Sequence, residues 1–175
     1  FVLLQCNLKD PTKLALEDLF VIEAAPDSVY ANGLDRSKIT LTLLGNAKSG
    51  LKVSFKTDFG RFSSLPYGID DKSKSQAIEI TAVNQVVDVF LVAGTKVGTA
   101  MLSAAVGGYR QTIERPCLRY YPQRINLSSN SYRLKSDGND TAELTVQLIP
   151  QNEGAVVSER TRIYLEAIDT ATNQK

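Results

Sequence analysis

Few residues in this chain are equipped for chemistry. Among its 175 residues there is no histidine, and the only cysteines are Cys6 and Cys117. That composition removes an imidazole base, a Cys-His dyad, a Ser-His-Asp triad and any zinc site built from Cys and His. Carboxylates remain, at Asp70-Asp71 and at Asp137 with Asp140, both in turn-like surroundings. Either set could join a calcium site, because Ca²⁺ takes about six to eight oxygens from loops, yet neither has EF-hand spacing. Solvated turn residues are the simpler reading. The sequence therefore predicts no enzyme, no catalytic or metal-binding residue and no cofactor.

Charge narrows the partners. Lys plus Arg number 20 and Asp plus Glu 19, a net charge of +1, and the cations are scattered along outward strand positions. Nothing here forms a nucleic-acid groove, so no nucleic-acid partner is expected. An apolar share of 43% suffices for packed cores, and no run of 18 or more apolar residues could span a bilayer as a helix.

The amino terminus reads Phe1-Val-Leu-Leu-Gln-Cys6-Asn-Leu-Lys-Asp, an apolar run that stops at a cysteine. It resembles the end of a bacterial lipoprotein signal peptide. Leu3 and Cys6 match the Leu-x-x-Cys lipobox, while Gln5 stands where that family prefers Gly, Ala or Ser. The resemblance implies lipid attachment at Cys6, a membrane partner through that anchor, and residues 1–17 as signal-peptide remnant and tether. Two alternatives stay open: Val2, Leu4 and Cys6 lining one face of an extra strand, or a Cys6 to Cys117 disulfide. The second would have to bring together points at opposite poles of a sandwich, although such a bond needs Cα atoms about 6 Å apart.

The elements that would position any site are strands. Asp18 to Ala24 and Ser28 to Tyr30 read as a first strand broken at Pro26, a residue kept to edges and switches. Lys38 to Leu44 alternates, with Ile39, Leu41 and Leu43 inward. Lys52 to Thr57 places Val53 and Phe55 on the core side, and Arg61 to Ser64 forms an edge piece before a surface loop from Pro66 to Ser75. Ala77 to Thr81 and Gln85 to Val92 follow, the latter with Val87, Val89 and Leu91 inward and Asp88 in water. Gly98 to Val106 turns at Gly107-Gly108, a hairpin signal, into Tyr109 to Leu118. About seven strands in about 100 residues, without helical periodicity, predict a Greek-key sandwich.

The pattern is then written again. An offset of 105 residues carries Gly33 onto Gly138, Asp35 onto Asp140, Thr40 onto Thr145 and Leu43 onto Leu148. The same offset carries Phe20 to Ile125, Ile22 to Leu127, Val29 to Leu134, Ile39 to Leu144 and Leu41 to Val146. Recurrence in phase marks one unit used twice, and the period suits a β-sandwich rather than a solenoid repeat. The fold class expected is all-β, with tandem immunoglobulin-like Greek-key sandwiches: residues 18–119 complete, residues 120–175 the first half of a second. Arg162 to Ala167 would stand in for Lys52 to Thr57, and Leu144, Val146, Leu148, Ile163 and Leu165 would lack a covering sheet. Pro122 restricts Tyr121 to extended conformations, making the junction 118–124 short and stiff. Tyr120 and Tyr121 read as packing between units, or else as a stacking platform for sugars.

Ala31-Asn-Gly before a Thr-rich strand, Lys52-Val-Ser-Phe-Lys-Thr, Ala93-Gly-Thr-Lys-Val-Gly-Thr-Ala and the Gly-Gly hairpin together resemble the bacterial Ig-like domains of invasin and intimin. The resemblance covers about 18–119 fully and 120–175 in part. It implies a non-catalytic stalk or spacer of a surface lipoprotein on the outer membrane or cell surface, holding a distal domain outward, with further Ig-like domains beyond Lys175. Alternatives are an adhesin binding a glycan or host protein through the Ser63 to Lys74 loop and Tyr67, or an accessory module of a large surface enzyme. Asp140-Thr-Ala and Asp169-Thr-Ala match a short O-glycosylation acceptor of some Gram-negative bacteria. Asn126-Leu-Ser and Asn139-Asp-Thr match the eukaryotic N-glycosylation pattern, which a bacterial surface protein would not use.

Overall fold

The computed structural model describes residues 19–45, 50–66, 75–135 and 138–167. No helix occurs among them, and two facing sheets form an immunoglobulin-like sandwich. The strands are β1 (Phe20–Ala25), β2 (Val29–Tyr30), β3 (Arg36–Leu43), β4 (Lys52–Thr57), β5 (Arg61–Ser63), β6 (Ala77–Thr81), β7 (Val86–Val92), β8 (Gly98–Val106) and β9 (Tyr109–Leu118). One sheet runs β1-β3-β7-β5 and the other β2-β9-β8-β4-β6.

Alternation drives this arrangement. In β3 every second residue, Ser37, Ile39, Leu41 and Leu43, is buried, and the intervening residues are half-buried or exposed. Phe20, Val87, Val89 and Leu91 join that face, and Val53, Phe55, Ala100, Leu102 and Ala104 meet it from the opposite sheet. The Phe55 and Phe62 rings pack tilted, 6.0 Å between centroids. Each Val, Leu, Ile or Phe side chain among them taken out of water stabilises the fold by about 1.5–3 kcal/mol before entropy is set against it.

The connections follow from backbone chemistry. At Pro26 the first strand leaves one sheet and joins the other, and the Ser37 hydroxyl donates to the Pro26 carbonyl at 2.9 Å to tie the switch. Gly107 and Gly108 both take positive φ, so Val106 pairs directly with Tyr109. Between β6 and β7 the same work is done by Asn84 and Gln85, at φ 53° and 67°, where the sequence carries no Gly signal. On the surface Asp88 accepts from Lys38 at 2.9 Å and from Thr40 at 2.8 Å. Partial burial works to raise its pKa, but those two partners outweigh burial and hold the carboxyl below its ordinary value.

Beyond Leu118 the chain forms a second, smaller sheet of β10 (Arg124–Ser129) and β11 (Leu144–Ile149). Its register is that of β1 with β3 shifted by 105: Phe20 pairs with Leu43, and Ile125 with Leu148. A turn contact repeats too. Asp35 Oδ2 accepts from Tyr30 N at 3.0 Å, and Asp140 Oδ2 from Lys135 N at 2.8 Å. Gly33 and Gly138 share φ near 79° and 78°.

One expectation is corrected. Residues 161–167 form no strand. In the first unit the equivalent β4 is held between β6 and β8, and no strand pairs with 161–167 among the described residues. Of the apolar residues expected to lack a covering sheet, Leu144 and Leu165 are more than half exposed and Ile163 is 39% exposed, whereas Val146 and Leu148 are half-buried.

Candidate functional site

Among the described residues, the most elaborately built contact is the junction between the sandwich and the β10–β11 hairpin. It begins with Tyr120, 8% exposed, whose ring meets Tyr30 at 5.9 Å between centroids with a 59° tilt. Its hydroxyl accepts from Asn152 N at 3.1 Å. Aromatic pairs of this geometry and a satisfied phenol make a stable floor.

On that floor lies the segment 152–160, which follows β11. Val156 N donates to Asn32 O at 2.9 Å, Ser158 N to Tyr120 O at 3.2 Å and Glu159 N to Thr95 O at 2.9 Å. Ser158, 2% exposed, accepts from Tyr120 N and donates to Ala31 O, both at 2.8 Å. The Thr95 hydroxyl donates to the Glu159 carboxylate, and Arg119 donates to Glu159 O at 3.3 Å. Ala155 is buried.

Asn32 prepares the surface this segment reads. Buried completely, it accepts from Leu34 N and Asp35 N and donates to Asp35 Oδ1, which leaves its carbonyl free for Val156. Such a local side-chain bond to the backbone is why Asn-Gly stands at this turn.

Clefts flank the docked segment, and two of them are sizeable. The larger, about 540 Å³, is lined by Arg119, Tyr121, Pro122, Ile125, Leu148, Arg160 and Ile163 among others. Ile125 and Leu148 correspond in register to Phe20 and Leu43, which are buried in the sandwich, and they supply the apolar part of this cleft. The second, about 470 Å³, runs between the Asp58-Phe59-Gly60 turn and Gly94-Thr95-Lys96, with Arg61, Gln76 and Glu159 on its walls. Lys96 Nζ sits 4.3 Å from the centre of the Phe59 ring there. Among the described residues no three His, Cys, Asp or Glu side chains converge as metal ligands do.

The residues singled out from the sequence separate. Tyr120 packs between units, whereas Tyr121 is 67% exposed beside the larger cleft. Asp140 caps its turn. Cys117 is a buried thiol, and burial pushes its pKa up; the disulfide alternative involves Cys6 and so falls outside the described residues. Cys6, Tyr67, Asp70, Asp71, Asp137 and Asp169 lie outside the described residues. Ser158, Asn152 and Glu159 were missed. Their signals in the sequence are that 150–160 is about five residues longer than its counterpart at Gly45–Gly50, and that Ala155-Val156-Val157 inside it is apolar.

Among solved structures, the chain is similar to the Yersinia pseudotuberculosis adhesin InvE, with 25% identity and a TM-score of 0.58 over 83% of this chain and 38% of that one. It thus spans under half of that adhesin's length, and the likeness supports an invasin-like Ig fold of an adhesion type. Weaker likenesses are to a family 2 glycosyl hydrolase from Bacteroides cellulosilyticus (18% identity, TM-score 0.39, 56% of this chain and 14% of that one). A conjugative transposon lipoprotein from Bacteroides eggerthii is similar at 13% identity (TM-score 0.34, 55% of this chain and 95% of that one). No family model and no curated protein matches the chain.

Proposed function

We propose that this chain is a non-catalytic part of a bacterial cell-surface adhesin, in which Ig-like modules in tandem act as a stalk that presents a distal domain. In this reading residues 18–119 are one module and 120–175 begin the next, whose remaining strands follow Lys175. Lipid on Cys6 ties the array to the membrane. The observation that carries the reading is the docked segment 152–160, which joins the second unit to the first by backbone bonds to Asn32 and Thr95 and by the Ser158 hydroxyl to Ala31. A flexible pair of binding modules has no need of such a contact; a spacer that must hold direction does. The likeness to an adhesin supports the same conclusion.

Spin labels on exposed Lys56 and Thr145, as Lys56→Cys and Thr145→Cys in a Cys6→Ser background, test it by electron-electron distance measurement. One narrow distance distribution is expected, and a broad one would refute the stalk. For the anchor, protein expressed from its full gene with an azido fatty acid should take up label at Cys6 and lose it in Cys6→Ser; an unlabelled parent removes the anchor.

A further inference from the structure

Strands β2 and β9 are parallel neighbours, with Val29 opposite Cys117 and Tyr30 opposite Leu118. The first is near the amino end of the sandwich and the second is its last strand. Tension applied along the chain therefore slides these two strands past each other along their own axes. In that geometry the ladder bonds resist together, whereas a hairpin peeled from its end loses them one at a time.

The ladder is short. Ala31 N donates to Leu118 O at 2.8 Å, and in a regular parallel pair the next bond would run from Tyr120 N to Ala31 O. Those two groups are instead joined through the Ser158 hydroxyl, which accepts from Tyr120 N and donates to Ala31 O at 2.8 Å each. On either side, Val156 N bonds to Asn32 O and Ser158 N to Tyr120 O. Ser158 is 2% exposed, so water does not compete for the position.

We infer that Ser158 is an inserted rung of the force-bearing β2–β9 ladder, a positioning residue by which the following unit stiffens the sandwich before it against pull. The sandwich is then strongest only while the segment 152–160 is seated. The inference rests on the stalk reading for its biological use, but its physics does not.

The test is constant-force unfolding of the full chain, held by its amino terminus and by Gln123→Cys in a Cys6→Ser background. Ser158→Ala leaves two buried backbone groups without a partner, and unfolding of the sandwich at a fixed force should be at least about tenfold faster than in the parent. Val87→Ala, which weakens the core away from the ladder, serves as a comparison matched in urea stability and should accelerate forced unfolding much less. Equal rates for Ser158→Ala and the parent, or equal acceleration by Ser158→Ala and Val87→Ala, overturn the inference. Should Ser158→Ala not fold, Ser158→Cys, of similar shape but a weak donor, takes its place under the same criteria. A parent that unfolds at very low force while Ser158→Ala still accelerates it leaves the rung standing and removes the stalk.

Discussion

Replacing Tyr120 measures how firmly the second unit grips the first. Tyr120→Phe deletes only the hydroxyl and leaves Asn152 N without its 3.1 Å acceptor. A neutral hydrogen bond of this kind contributes about 0.5–1.5 kcal/mol net. Tyr120→Ala removes in addition a ring that is 8% exposed and packed at a tilt against Tyr30. Loss of a buried aromatic costs about 3–5 kcal/mol, a range that includes most of the pairing with Tyr30. Amide hydrogen exchange reads the effect locally, because Val156 N and Glu159 N are bonded across the junction to Asn32 O and Thr95 O. Their exchange should quicken about fivefold in Tyr120→Phe, equivalent to about 1 kcal/mol, and lose nearly all protection in Tyr120→Ala. Amides of β3 and β7 should keep theirs. Unchanged exchange at Val156 and Glu159 in Tyr120→Ala would refute the junction as described.

Two further outcomes concern the sandwich itself. At Gly60, φ is +74° and an added Cβ would lie 2.3 Å from Val92 O, so Gly60→Ala should lower urea stability by about 2 kcal/mol or more; a neutral result would mean the Gly60 turn is not held against β7. The Lys38–Asp88–Thr40 cluster has a carboxyl whose folded pKa is depressed. Its stabilisation is therefore present above the unfolded value near 3.9 and is lost as pH falls through the lower folded value. Both side chains of the ion pair are more than 40% exposed, and solvent screening keeps the effect well under about 1 kcal/mol. Comparing Asp88→Asn with the parent, the stability gap should be present at pH 6 and close by about pH 2; a gap that persists in acid would rule the assignment out.

Much of the fold was legible in local pattern. Ile39, Leu41 and Leu43, then Val87, Val89 and Leu91, announce their inward faces because a strand alternates with a period of two residues, whatever lies opposite. Gly107-Gly108 announced its hairpin because the turn demands positive φ at both positions. The offset of 105 between Asp35 and Asp140 was readable for the same reason: each carboxylate caps a backbone N–H five residues earlier, a contact made within a few residues of chain.

What sequence pattern could not supply was everything that depends on a partner distant along the chain. Arg162 to Ala167 has the composition of a strand but pairs with no strand among the described residues, and a strand is defined by its neighbour. Ser158 is an ordinary serine until folding brings Ala31 and Tyr120, 127 and 38 residues away, to its hydroxyl. Tyr120 and Tyr121 are adjacent and chemically identical, yet one is a packed anchor and the other is exposed to water. Alternation and turn chemistry are set by the backbone over a few residues and survive in the sequence. Burial, pairing and the junction are set by what arrives from elsewhere, and only the assembled chain determines them.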